Sequence, residues 1–172
     1  MSQKTLTTLT KLARLLLAAG RKCILQPREA LLLCRMAWWV SVLSAAARWY
    51  SLPGALELVS GRESRSFVVP DTEITNRLAR SIDLLLSADI LVFRPICWKR
   101  AAVLRRYLAR NGVATRILFG VRNEDQGKVS GHAWLEADGK PILEQSTPEY
   151  VVTYTFPSDE RYEPQLAILS SE

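Results

Sequence analysis

Residues 97–108 read CWKRAAVLRRYL, and the fold expected of this chain is worked outward from them. On an α-helix Cys97, Ala101, Leu104 and Leu108 fall at i, i+4, i+7 and i+11, so the cysteine begins an apolar stripe that faces inward. Pro95 suits the approach to a first turn, where no N–H is needed, and Asn111-Gly112 is a strong stop. The thiol is therefore expected at a helix start, where unsatisfied N–H groups and the positive end of the helix dipole stabilise negative charge on sulfur.

The chain has a single histidine, His132, within GHAWLEADGKPILEQ at residues 131–145. Alternating residues and the Asp138-Gly139 turn signal predict a β-hairpin, with Glu144 on its second strand. A cysteine taken alone reads more readily as a buried structural thiol, and a lone histidine as a core residue about as often as not. In the order cysteine, histidine, acid, however, Cys97, His132 and Glu144 supply the nucleophile, base and orienter of a thiol-dependent acyl transfer.

Hairpin register decides which side chain meets His132. A two-residue Asp138-Gly139 loop sets Gln145 opposite it and turns Glu144 to the other face. A three-residue loop with a glycine bulge sets Glu144 opposite Trp134, diagonal to His132 and on its face. Pro141 lacks an N–H, which favours the longer loop. Glu136 shares the face of His132 in either register and is the fallback orienter.

Outward from this centre, residues 113–121 read as a buried strand, 123–130 as a polar loop, and 150–156 as a further strand or a packed tail. Upstream, Asp71 or Thr72 caps a helix whose stripe is Ile74, Leu78, Ile82, Leu85 and Leu86, ending near Asp89 before a short run at 90–93. Residues 60–66, SGRESRS, are the expected boundary between a helical front at 1–66 and a domain at 67–172. The front holds an amphipathic helix over 4–19 and a very apolar one from Pro27 to Trp49. Residues 30–47 fall at the lower limit of a bilayer span and are interrupted by Arg35, so a packed helix is preferred, and Trp38, Trp39 and Trp49 read as core or interface. No convincing signal peptide precedes it.

A length of 172 residues with 48% hydrophobic content suits one good core, or one domain with a helical extension. Three cysteines, Cys23, Cys34 and Cys97, are odd in number and lack disulfide-like spacing, which points to a reducing cytoplasm. With one histidine and no CxxC pair, no metal cluster is expected, and no cofactor. The net charge of +6 is uneven: residues 1–66 hold ten Lys/Arg against three Asp/Glu, and residues 67–172 thirteen against fourteen. No nucleic-acid motif accompanies the basic front, so a solvated helix face is preferred, as it is for Lys99, Arg100, Arg105, Arg106 and Arg110 around the Cys97 helix.

CWKRAAVLRRYLARNGVATRILFGV followed by GHAWLEADGKPILE resembles the transglutaminase-like cysteine proteases of lasso-peptide biosynthesis, in the form often called the B2 protein, over about residues 70–157. The resemblance implies an α+β fold: a helical N-terminal region, then a transglutaminase/papain-like core with the nucleophile at a helix N-terminus and an antiparallel sheet. It assigns Cys97 as nucleophile, His132 as base, and Glu144 to a position where related enzymes carry aspartate. It further implies that the enzyme removes the leader from a ribosomally made precursor, freeing an amine that an ATP-dependent macrolactam synthetase joins to a side-chain carboxylate. Single-chain relatives carry a leader-binding domain with a β-hairpin at the front; residues 1–66 read as helices, so a separate leader-recognition protein is implied, and the tryptophan-bearing surface of the first two helices is a candidate docking surface for it or for the synthetase. Two other classes compete: a transglutaminase-like acyltransferase using the same three residues, and a non-enzymatic helical membrane-surface scaffold in which Cys97 is inert.

Overall fold

The structure, a computed structural model, describes residues 26–60, 71–89, 92–124, 128–144 and 146–158. Among the described residues four helices lead into four strands: α1 Pro27–Trp49, α2 Leu52–Ser60, α3 Thr72–Leu86, α4 Cys97–Arg110, β1 Arg116–Glu124, β2 Lys128–Ala137, β3 Lys140–Ile142 and β4 Val151–Phe156. The strands form one antiparallel sheet in the order β3-β2-β1-β4, so the fold is α+β, a helical front followed by an antiparallel sheet. The helix expected over 4–19, the boundary residues 61–66, Ile90 and Gln145 lie outside the described residues.

The start of α3 follows its sequence cues. Asp71 is the N-cap, its carboxylate accepting from the Glu73 N–H at 2.9 Å, and Leu78, Ile82 and Leu86 form the buried stripe. Ile74 departs from that stripe and is exposed, because the groove beside it is open rather than filled. Of residues 150–156, Val151–Phe156 form the edge strand β4 rather than a tail, and the loop expected over 123–130 shortens because β1 and β2 stay paired out to Glu124 and Lys128.

The central helix is α4. Val103, Leu104 and Leu108 are fully buried, joined by Met36, Val40 and Leu43 of α1, Leu56 and Val59 of α2, Ile82 of α3, and Ile117, Ala133 and Leu135 of the sheet. Several basic residues expected to face water are instead buried, because α4 is covered on nearly every side. Lys99 donates to the Val92 carbonyl at 3.1 Å, Arg105 to the Thr115 carbonyl at 3.0 Å, and Arg106 to the Val59 carbonyl while lying 3.5 Å over the Trp39 ring. Burial, and secondarily the charge of Arg94, lowers the Lys99 pKa. Only Arg110 is exposed, and Arg100 is half-buried, held by both carboxylate oxygens of Asp83.

By length and composition α1 is a helix that could cross a membrane. It is buried on one face, through Met36, Val40, Leu43 and Ala46, and exposed on the other, where Trp38 stands 66% open. Trp39 packs on the core while Trp49 is exposed.

Candidate active site

Cys97 is the first residue of α4, with Ile96 in extended geometry as its N-cap and Pro95 ahead of it. Ile96 caps with no side-chain hydrogen bond, so the first N–H groups of the helix are not occupied by a capping side chain. Cys97 and Cys34 are free thiols; Cys97 is half-buried and Cys34 exposed.

The hairpin closes with the two-residue loop, not the three-residue one: Ala137 pairs with Lys140, Glu136 with Pro141 and Leu135 with Ile142. Asp138 and Gly139 both take positive φ, +49° and +71°, the pattern of a type I′ turn that matches strand twist. Pro141 is accommodated because β3 is a short edge strand. In continued register Glu144 would face away from His132, yet its Oε2 lies 3.3 Å from His132 Nε2. The reason is Leu143, whose φ of +61° ends β3 and breaks the alternation. Glu136, four residues along β2, lies about 13 Å away at strand rise, beyond the reach of its side chain.

With Nε2–H given to Glu144, Nδ1 is the nitrogen left to exchange a proton elsewhere. The imidazole forms a three-ring cluster with two aromatic rings, stacked on Trp134 at 5.9 Å and tilted against Tyr150 at 5.4 Å, with those two rings 6.1 Å from each other. Gly120, paired with His132 across β1 and β2, makes that packing possible, since a Cβ there would sit 2.6 Å from Cβ of Tyr150. A glycine inside a strand is a legible mark of such close approach, whereas no local feature of the sequence marks Trp134 and Tyr150 as the partners of the ring.

Cys97 and His132 line one cavity of about 510 Å³, together with Trp98, Phe119, Ala133 and Tyr154. Leu52 and Pro53, the first two residues of α2, complete its wall, a contribution that sequence patterning does not reveal. Among the described residues no Asp, Glu, Lys or Arg side chain lines it. The two candidate reactive groups are not hydrogen-bonded to each other; such contacts commonly tighten only when substrate is bound. Among the described residues no group of histidine, cysteine and acidic side chains could hold a metal ion.

A cavity with a helix-start thiol and an imidazole backed by a carboxylate has the parts for acyl transfer through a thioester. No curated protein and no solved structure matches the chain. The family model described as the transglutaminase-like superfamily, whose members typically act as cysteine peptidases or acyltransferases, matches residues 30–155, from α1 through β4; this chain belongs to that superfamily.

Proposed function

We propose that this protein is a cysteine protease that removes the leader from a ribosomally synthesised lasso-peptide precursor, working in the cytoplasm. A separate leader-recognition protein presents the precursor, and an ATP-dependent macrolactam synthetase consumes the freed amine. The observation that carries the reading is the convergence of Cys97 and His132 on one cavity, with Glu144 on the imidazole. Membership of the transglutaminase-like superfamily supports the chemistry, and the resemblance of residues 97–121 and 131–144 supports the substrate class.

In the proposed reaction the Cys97 thiolate adds to the carbonyl carbon of the scissile peptide bond. His132, protonated by the thiol, gives that proton to the departing amine as the C–N bond breaks, leaving a thioester on Cys97. His132 then takes a proton from water as its oxygen attacks the thioester; the C–S bond breaks, the leader departs with a free carboxyl end, and the Cys97 sulfur leaves as thiolate and recovers its proton from the imidazolium. Glu144 holds the imidazole in one tautomer and stabilises its cation. The apolar lining selects against charged residues beside the scissile bond, because an ion entering it loses hydration with no counter-charge.

The test is incubation with a precursor and its recognition protein, followed by mass spectrometry. The parent should release leader and core peptide, and Cys97→Ala should release neither while keeping the parental fold, since one sulfur at a helix start leaves little cavity. Turnover by Cys97→Ala refutes the proposal. A supplied amine appearing on the leader's carboxyl end would instead assign the protein to acyl transfer.

A further inference from the structure

A second hollow, of about 290 Å³, lies between α1, α3 and the end of α4 and shares no residue with the cavity at Cys97. Its chemistry is set by Arg28 and Arg35 of α1, Arg77 of α3 and Tyr107 of α4, with Leu31 and Ile74 on its apolar rim. Arg77 is held by Glu29 at 2.6 Å, whereas Arg28 and Arg35 have no ion pair or hydrogen bond among the described residues. The neighbouring acids, Glu29 and Glu73, gather at the Pro27 end. Toward Arg35 no carboxylate of the described residues lines the groove, and the Arg110 guanidinium stands 5.7 Å from the Tyr107 ring.

Two independent features ask for a ligand here. Tyr107 is 5% exposed and its hydroxyl has no hydrogen-bond partner, so a donor is buried without an acceptor, in a field of positive charge from Arg35, Arg106 and Arg110. Leu31, at 52% exposure, and Ile74 present apolar surface on either side of the arginines. Arg28 and Arg35 are seven residues apart, about 10 Å along the helix, too far for one small anion to bridge. A ligand that engages both arginines carries two separated carboxylates, with an apolar stretch between them to meet Leu31 and Ile74. The preceding segment of the chain is a poor occupant, since residues 1–25 hold five Lys/Arg and no Asp/Glu.

We propose that this groove docks an acidic amphipathic helix of a partner protein, with carboxylates at i and i+7 on Arg35 and Arg28 and leucine-like side chains between them on Leu31 and Ile74. The helix lies along α1 as an amphipathic segment in a helical groove, and one of its carboxylate oxygens accepts from Tyr107. The site stands whether or not Cys97 is a nucleophile.

The test uses the full chain and a fluorescein-labelled helical peptide with glutamates at i and i+7 and leucines at i+3 and i+4, read by anisotropy. Binding should weaken at least about tenfold when both glutamates become glutamine, and by as much in the double variant Arg28→Gln/Arg35→Gln, in line with the loss of charge-assisted contacts. Tyr107→Phe should weaken it severalfold, and salt should weaken it further. Both arginines are exposed, so the double variant should keep the parental melting temperature and Cys97 alkylation rate. Failure of the peptide to bind, equal binding of the glutamine peptide, or full affinity in the double variant overturns the assignment.

Discussion

Gly120→Ala adds one methyl group at the position that faces His132 across the sheet, and the consequence can be worked from distances. The new Cβ would lie 2.6 Å from Cβ of Tyr150 and 3.0 Å from two carbons of the Trp134 ring, where unstrained carbons sit about 3.5–4.0 Å apart. A Cβ cannot rotate away, so Tyr150 moves only with the backbone at the start of β4, and Trp134, 4% exposed, has little room. Overpacking of this kind costs about 1–3 kcal/mol. For a chain of this size that lowers the melting temperature by about 2–12 °C. Both clashing residues place their rings against the imidazole, and a displacement of about 1 Å at a reacting group costs on the order of a hundredfold in rate. The assay is a thermal melt, mass-detected cleavage, and alkylation of Cys97 in a Cys23→Ala/Cys34→Ala background. Gly131→Ala is the stability control, because its Cβ meets nothing nearer than the Gly120 carbonyl at 3.9 Å, and it should melt with the parent. If Gly120→Ala melts and cleaves as the parent does, the packing argument around His132 is refuted.

Glu144→Gln should keep part of the imidazole's orientation and lose much of the cleavage rate, and Glu144→Ala should lose more, while Glu136→Gln cleaves near the parental rate; an active Glu144→Ala would remove the carboxylate from the proposed mechanism. Arg106→Leu should destabilise by about 2–4 kcal/mol in denaturant melts, because it leaves the Val59 carbonyl unpaired and uncovers Trp39. Tyr107→Phe, removing a hydroxyl with no partner, should leave the isolated protein as stable as the parent or more stable by up to about 1 kcal/mol. Burial raises the Tyr107 pKa above 10.0, with Arg110, Arg106 and Arg35 opposing. The folded chain therefore holds this proton to higher pH than the unfolded chain, and the associated stability is present below pH 10 and lost as pH rises through the folded value. The advantage of Tyr107→Phe should grow in melts above pH 10, though Tyr154, raised by burial and then by Glu57, keeps part of the alkaline loss in both proteins.

The elements that sequence patterning located are those fixed by local chemistry: the Cys97 helix start, the Asp71 cap and the Asp138-Gly139 turn. What it located less well depends on neighbours distant in sequence. The reading of Pro141 as a sign of a longer loop weighed a local hydrogen bond that an edge strand does not need. The approach of Glu144 to His132 rests on a left-handed residue at Leu143, a conformation that leucine rarely adopts and that no local residue preference announces. Lys99, Arg105 and Arg106 look like a water-facing side in a helical projection. Their burial follows from the number of elements packed around α4, which no single-helix pattern contains.

Those three cations also account for how a helix covered on nearly all sides keeps a defined position. A buried cation needs acceptors for its donors, and each of these finds a backbone carbonyl on a different neighbour, with Arg106 Nε left unpaired among the described residues. Lys99 takes Val92, in the segment leading into the helix; Arg106 takes Val59, one of the last carbonyls of α2; Arg105 takes Thr115, just ahead of β1. The last four carbonyls of a helix have no partner within it, so the bond to Val59 closes α2 as well as anchoring α4. Apolar packing fixes how deeply α4 sits but tolerates small slides along its axis, whereas directional bonds to three separate segments oppose them. Cys97 is at the end of this anchored rod and His132 on β2, the second strand beyond its far end, so these three bonds help set where the thiol sits relative to the imidazole across the cavity.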